Sequence, residues 1–257
     1  MKNSSSDLDV KPEIVTRIVE NLLKLTSHGN KITIDVLAEH SVVSRDVAFK
    51  IVSRLLGKDF NVNCVEVTGD TRLSIILKCI RDYAPAEVLA RHISWKDFEV
   101  LSAKVLNEYG FNALTNVRLR LSKKKCELDV LAVRSPTVLL LDCKKWNAVL
   151  SGKRLTSIVE SHMRRSRMLA EYLLNMLGKG ETTVEIVPAV LTLYGSNKRV
   201  ENGVAIVPVG LLGNFIEKLP EIKYDLECIR VKVGSALDYV IRKLERKDAP
   251  QRPYGSS

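Results

Sequence analysis

Four consecutive apolar residues, Val138-Leu139-Leu140-Leu141, run straight into Asp142-Cys143-Lys144. An unbroken β-branched and leucine run of this length suits a central strand covered on both faces. A carboxylate closing such a strand is costly unless something compensates it. The period of two along a strand puts Leu140, Asp142 and Lys144 on one face, with Leu141 and Cys143 on the other. The segment before it, Cys126–Arg134, reads the same way. There Glu127, Asp129 and Leu131 share a face, and Leu128 and Val130 share the opposite one. The chain is therefore expected to be α/β, with two carboxylates facing each other from neighbouring strands.

The surrounding pattern supplies the rest of that expectation. Trp95–Tyr109 has helical spacing through Phe98, Leu101, Val105 and Leu106, and Gly110 stands where a helix C-cap is wanted. Phe111–Leu121, Cys126–Arg134 and Thr137–Lys144 follow as a meander, with turns at Lys123-Lys124-Lys125 and Ser135-Pro136. A helix over Arg154–Leu177 then precedes strands at Val184–Tyr194 and Val204–Val209. Pro188 and Pro208 predict that those strands end, bulge or lie at an edge. Lys223–Val233 suggests a last strand and Ser235–Arg246 an amphipathic helix.

Charge narrows the partner. Residues 94–257 hold 27 Lys and Arg against 18 Asp and Glu, whereas residues 1–93 hold 13 against 12. A basic half of this kind suits a polyanion such as nucleic acid. Two aspartates on adjacent strands suit Mg²⁺, a hard ion that takes carboxylate oxygens and keeps several waters. Lys144, on the face of Asp142, is placed to orient a water and to offset charge on a transferring phosphoryl group. The first half of the following helix adds Lys153, Arg154, Arg164 and Arg165, and Lys145 lies beside Lys144. These are the expected phosphate contacts. His162 reads as an ordinary buried histidine.

Asp129, a gap of 12 residues and Asp142-Cys143-Lys144 resemble the signature of the PD-(D/E)xK nuclease superfamily. Glu127-Leu128-Asp129-Val130 and Leu141-Asp142-Cys143-Lys144-Lys145-Trp146 are similar to its Mrr-type restriction endonuclease branch and the archaeal relatives of that branch. Trp95-Lys96-Asp97-Phe98-Glu99 resembles the helix that supplies the family's glutamate, with Asp97 and Glu108 as fallbacks. The resemblance implies a restriction-endonuclease-like αβββαβ core over roughly 94–219, a mixed sheet flanked by helices. It implies that Asp129, Asp142, the Cys143 backbone carbonyl and Glu99 hold Mg²⁺ (or Mn²⁺), and that Lys144 serves the attacking water. The family's proline before the first aspartate is Leu128 here. The glutamine frequent in the following helix has no clear match, Ser161 and His162 being nearest.

The first half predicts a small winged helix-turn-helix domain over 11–83, joined by a linker at 84–93 to a nuclease domain at 94–246. Residues 1–10 and 247–257 read as disordered tails. Ile14, Ile18, Leu22 and Leu25 mark the first helix. Thr33 and Ser44 are N-caps for Ile34–Glu39 and Ser44–Leu56. Asn61–Thr68 and Arg72–Leu77 are expected to form a hairpin around Gly69-Asp70, and Arg45, Lys50 and Arg54 to face DNA. Five scattered cysteines and a polar start suggest a reduced, cytoplasmic protein with no zinc site. No apolar run is long enough for a membrane span, and no phosphate-binding loop for a nucleotide is present. The reading is thus a Mg²⁺-dependent DNA endonuclease, acting as a homodimer. Its rival is an idle nuclease fold kept as a DNA-binding regulator or scaffold.

Overall fold

The computed structural model describes residues 10–57, 60–82, 85–146 and 149–234, together with Leu237 and Leu244. The expected tails at 1–10, apart from Val10, and 247–257, and most of the expected helix at 235–246, lie outside these residues. The chain divides into two compact units, 1–101 and 102–257, a division that falls inside a helix.

The N-terminal unit is helical. Helices α1 (Pro12–Leu25), α2 (Ile34–Ser41) and α3 (Arg45–Leu56) follow the predicted spacing. The caps form as expected: Thr33 Oγ1 accepts the Val36 N–H and Ser44 Oγ accepts the Val47 N–H. The hairpin does not form. Ile32 and Val65 make a single antiparallel bridge, and Gly69–Asp82 is helix α4. Over residues 69–80 the buried residues are Arg72, Leu73, Ile75, Ile76 and Cys79. Their spacing has a period near 3.6, visible only once Cys79 is included. Arg72 also fixes α4 against the end of α1: its guanidinium donates to the carbonyls of Leu23 at 2.6 Å and Thr26 at 2.9 Å. Within the expected linker, Ala86–Ala90 is a further short helix, α5.

Helix α6 (Trp95–Glu108) crosses the division between the units, and Gly110 beyond it has φ 78°, the left-handed conformation a C-cap requires. The second unit is a mixed α/β layer structure. Strands β1 (Asn112–Leu121), β2 (Lys124–Arg134) and β3 (Thr137–Lys144) form an antiparallel meander. Helix α7 (Gly152–Leu177) crosses over to β4 (Lys179–Thr192), which pairs parallel with β3 from Thr137↔Glu185 to Lys144↔Thr192. Short β5 (Val200–Glu201) and β6 (Val204–Pro208) extend the sheet beyond β4, and α8 (Leu212–Ile222) packs on β6. β7 (Ile229–Val233) is shorter than Lys223–Val233, because Lys223–Asp225 forms a 3-10 turn.

Pro208 closes β6, as its residue type predicts, but Pro188 does not end β4. On one edge β4 pairs β7 as far as Ile186↔Ile229 and then β6 from Ala189↔Ala205. Pro188, with no N–H to donate, falls at that change of partner. One face of the sheet lies against α7. Leu169, Leu173 and Leu177 meet Val138, Leu140, Val184 and Ile186, while Leu155, Val159 and Met163 meet Val190, Val204 and Ile206. Each such buried side chain contributes about 1.5–3 kcal/mol, and together they clamp α7 across the end of β3.

Candidate active site

Asp142 continues the run Val138–Leu141 on the α7 face and is 1% exposed. The β2–β3 ladder stops one step short, at Val130↔Leu141. Where it stops, the Asp129 side chain takes over: its Oδ2 accepts the Cys143 N–H at 2.8 Å. The β1–β2 ladder also skips Asp129, opposite Asn116 with φ 57°. The sheet thus opens at one position, and that position holds two carboxylates. Lys144 reaches back into the gap, with Nζ 2.8 Å from Asp142 Oδ2 and 4.0 Å from Asp129 Oδ2.

Helix α7 closes the site from above. Arg165 donates a short charge-assisted bond to Asp142 Oδ1. One turn earlier, His162 is 1% exposed, with Nε2 3.0 Å from the Leu140 carbonyl. In the neutral ring Nε2–H donates to that oxygen, which leaves Nδ1 buried without a hydrogen-bond partner among the described residues. Burial is the main cause that pushes the His162 imidazole down to about 4, and the Arg165 cation adds to it. Asp129 shifts the other way. Burial first, and then the neighbouring Asp142, raise its carboxyl above the usual range, against the Cys143 N–H and the Lys144 and Arg165 charges.

Two oxygens decide what the site could hold. Among the described residues Asp142 Oδ2 is buried and, although Lys144 is near, makes no hydrogen bond of acceptable angle. Asp129 is drawn toward neutrality by burial and then by its neighbour Asp142. Both defects are those a bound cation would remove. Among the described residues no group of three or more His, Cys, Asp or Glu side chains gathers as a metal site. Asp129 and Asp142 with nearby backbone are a donor set that fits an ion that keeps several waters, as Mg²⁺ does.

The sheet and α7 bring together Asp129, Asp142, Lys144 and Arg165. Glu99 is 7% exposed on α6, within the N-terminal unit. Asp97 is used locally, accepting from the Ser94 hydroxyl at 2.8 Å in a helix cap. Glu108 is exposed. Lys145 is partly buried, and burial lowers its ammonium below the ordinary lysine value. Lys153, Arg154 and Arg164 are exposed on α7, with the Arg154 guanidinium stacked on the Trp146 ring at 3.3 Å. Arg45, Lys50 and Arg54 are exposed on α3, and Arg45 pairs with Asp35 at 2.9 Å. Charge alone assigns Arg165 to the outward phosphate contacts, whereas it turns inward onto Asp142. The signal lay in the spacing His162, Arg165, Ser166, Leu169, which puts polar residues on the sheet-facing stripe.

Comparison with known proteins adds likeness without function. No family model matches the chain. An uncharacterized protein of Archaeoglobus fulgidus is 26% identical over 126 residues, 49% of this chain and 91% of that protein. The crystal structure of AF1548, a protein of unknown function, is 21% identical with a TM-score of 0.30, covering 40% of this chain and 49% of that one. That of VC1899 from Vibrio cholerae is 12% identical with a TM-score of 0.33, covering 87% and 58%. The chain thus spans roughly half the length of these two structures. No helix among the described residues is long and apolar enough to cross a membrane.

Proposed function

We propose that the chain is a metal-dependent endonuclease that hydrolyses DNA phosphodiester bonds, with Asp129, Asp142 and Lys144 as its catalytic residues. The observation that carries this reading is the opening of the sheet at Asp129 and Asp142, where a buried carboxylate oxygen has no hydrogen bond among the described residues and a lysine stands beside it. Asp129, Asp142 and the Cys143 carbonyl would hold Mg²⁺ or Mn²⁺, and Glu99 from α6 would extend that set. Such an ion supplies charge neutralisation at the phosphate and a more acidic bound water. Lys144 holds the water in line and donates to the developing charge. Arg165, released from Asp142, and the exposed Lys153, Arg154 and Arg164, with Lys145 beside them, offer charges for the flanking phosphates. Helix α3, with Arg45, Lys50 and Arg54, is a second DNA contact in this reading, as the helix of a helix-turn-helix without the expected wing. Cutting both strands of a duplex requires two such sites, hence a homodimer.

The test is cleavage of supercoiled plasmid, linear duplex and branched DNA with Mg²⁺ or Mn²⁺, beside Asp142→Ala and Lys144→Ala. Metal-dependent cutting that both substitutions abolish is the expected result, and the preferred substrate separates restriction from repair. One observation favours a second reading, an idle fold that binds DNA as a scaffold: Arg165 and Lys144 already attend both oxygens of Asp142. DNA binding with no cutting under either metal would decide for it.

A further inference from the structure

The loop between β1 and β2 reads in sequence as no more than a lysine-rich turn. In the structure it ends a ribbon that carries five cations, Arg118, Arg120, Lys123, Lys124 and Lys125, all exposed. Glu127 is the one acid between positions 118 and 127, and it reaches only Arg118, at 3.9 Å. Among the described residues no carboxylate lies within ion-pair distance of the other four. The register sets Arg120 directly opposite Lys125, a like-charge pair that destabilises a bare hairpin.

The ribbon is held where a bound duplex would meet it. β3 pairs β2 only as far as Val130↔Leu141, so residues 124–129 run on beyond it with β1 as their strand neighbour, over about 20 Å at the usual strand rise. Because β2 and β3 are antiparallel, this extension leaves the sheet at the end where β3 delivers Asp142 and Lys144. Its underside is anchored: Val117, Leu119 and Leu128 pack in the same core as Leu169 and Leu173 of α7. Alternation then turns Arg118, Arg120 and Lys125 to solvent. A supported two-stranded ribbon has the width that the major groove of DNA admits.

We propose that this β1–β2 ribbon is an arm that grips the phosphate backbone of duplex DNA beside the cleaved bond; the proposal rests on the nuclease reading above. Phosphates laid along the ribbon relieve the Arg120–Lys125 repulsion and release counterions, so the arm sets affinity and its salt dependence, not sequence choice.

The experiment is a salt titration of binding to a 30-bp duplex by fluorescence anisotropy, with the full chain in metal-free buffer so that the DNA stays intact. Lys123→Ala/Lys124→Ala/Lys125→Ala is compared with Lys179→Ala/Lys218→Ala/Lys232→Ala, which removes the same charge from exposed positions outside the ribbon. The arm variant is expected to lose about tenfold or more in affinity near 0.1 M salt. Its slope of log affinity against log salt should shrink by up to about 0.9 for each phosphate that the arm no longer neutralises. The matched variant should change far less, and the triple substitution to Glu should abolish binding while melting temperature is kept. Equal effects from the two alanine variants, or an unchanged slope in the arm variant, overturn the arm and leave the nuclease reading standing. Absence of any duplex binding by the unsubstituted chain overturns both.

Discussion

Arg72 and Asp142, one buried ion from each unit of the molecule, are treated differently. In the N-terminal unit, Arg72 is 8% exposed and spends its guanidinium on the carbonyls of Leu23, Thr26 and His92 and the Thr26 hydroxyl. Burial lowers its already very high value, yet every one of these partners is backbone or a neighbour fixed by the fold. In the sheet unit, Asp142 is 1% exposed and among the described residues is attended by the ends of two long side chains, with one oxygen making no hydrogen bond. A buried charge whose partners are immobile backbone is part of the architecture. One whose partners are the ends of long side chains, at a break in a sheet and beside a second carboxylate, is in the proposed reading a place for a cation.

The largest effect that could break this contrast is on activity. Asp142→Asn should reduce DNA cleavage by roughly 10³-fold or more, the scale on which removing a charge-stabilising group acts, with the fold intact by circular dichroism. Cutting within tenfold of the parent would place the chemistry elsewhere. Arg72→Ala should act oppositely, on stability: stranded carbonyls at the end of α1 cost about 2–4 kcal/mol, measured by urea unfolding. A variant as stable as the parent would make Arg72 no more structural than Asp142.

His162 gives a pH-dependent version of the same contrast. Its folded value, near 4, lies below the ordinary value of 6.5, so the unfolded chain binds the proton first. The neutral buried ring contributes its full stability above pH 6.5 and loses it as pH falls toward 4, by at most about 1.4 kcal/mol per pH unit. The stability difference between the parent and His162→Gln should therefore move against the parent between pH 6.5 and 4. A difference that stays constant over that window would mean that the ring is not held neutral. The smallest effect is expected at Arg45. Its exposed pair with Asp35 contributes less than about 0.5 kcal/mol, so Arg45→Ala should leave unfolding unchanged, and any loss of duplex affinity would assign α3 a binding role.

Much of the sheet unit is legible because its strands carry strong local signals. The run Val138–Leu141, the meander turns and the approach of Asp129 to Asp142 follow from a period of two and short connections. Arg165 is visible only in part, since its charge suggests an outward role that the helical spacing of His162 and Ser166 contradicts. The hairpin expected at Arg72–Leu77 fails because six residues cannot distinguish a period of two from one of 3.6. The arginine that decides the matter is held by carbonyls 46 and 49 residues away in the chain. Glu99 is the remaining expected ligand, and its helix belongs wholly to neither unit, which no local pattern records.

Binding of Mn²⁺ without DNA, followed by isothermal calorimetry on the parent, Asp129→Asn and Asp142→Asn, tests most directly whether the break in the sheet is a cation site. The account predicts binding by the parent that each substitution weakens at least tenfold. No binding by the parent, or equal binding by all three proteins, would contradict it.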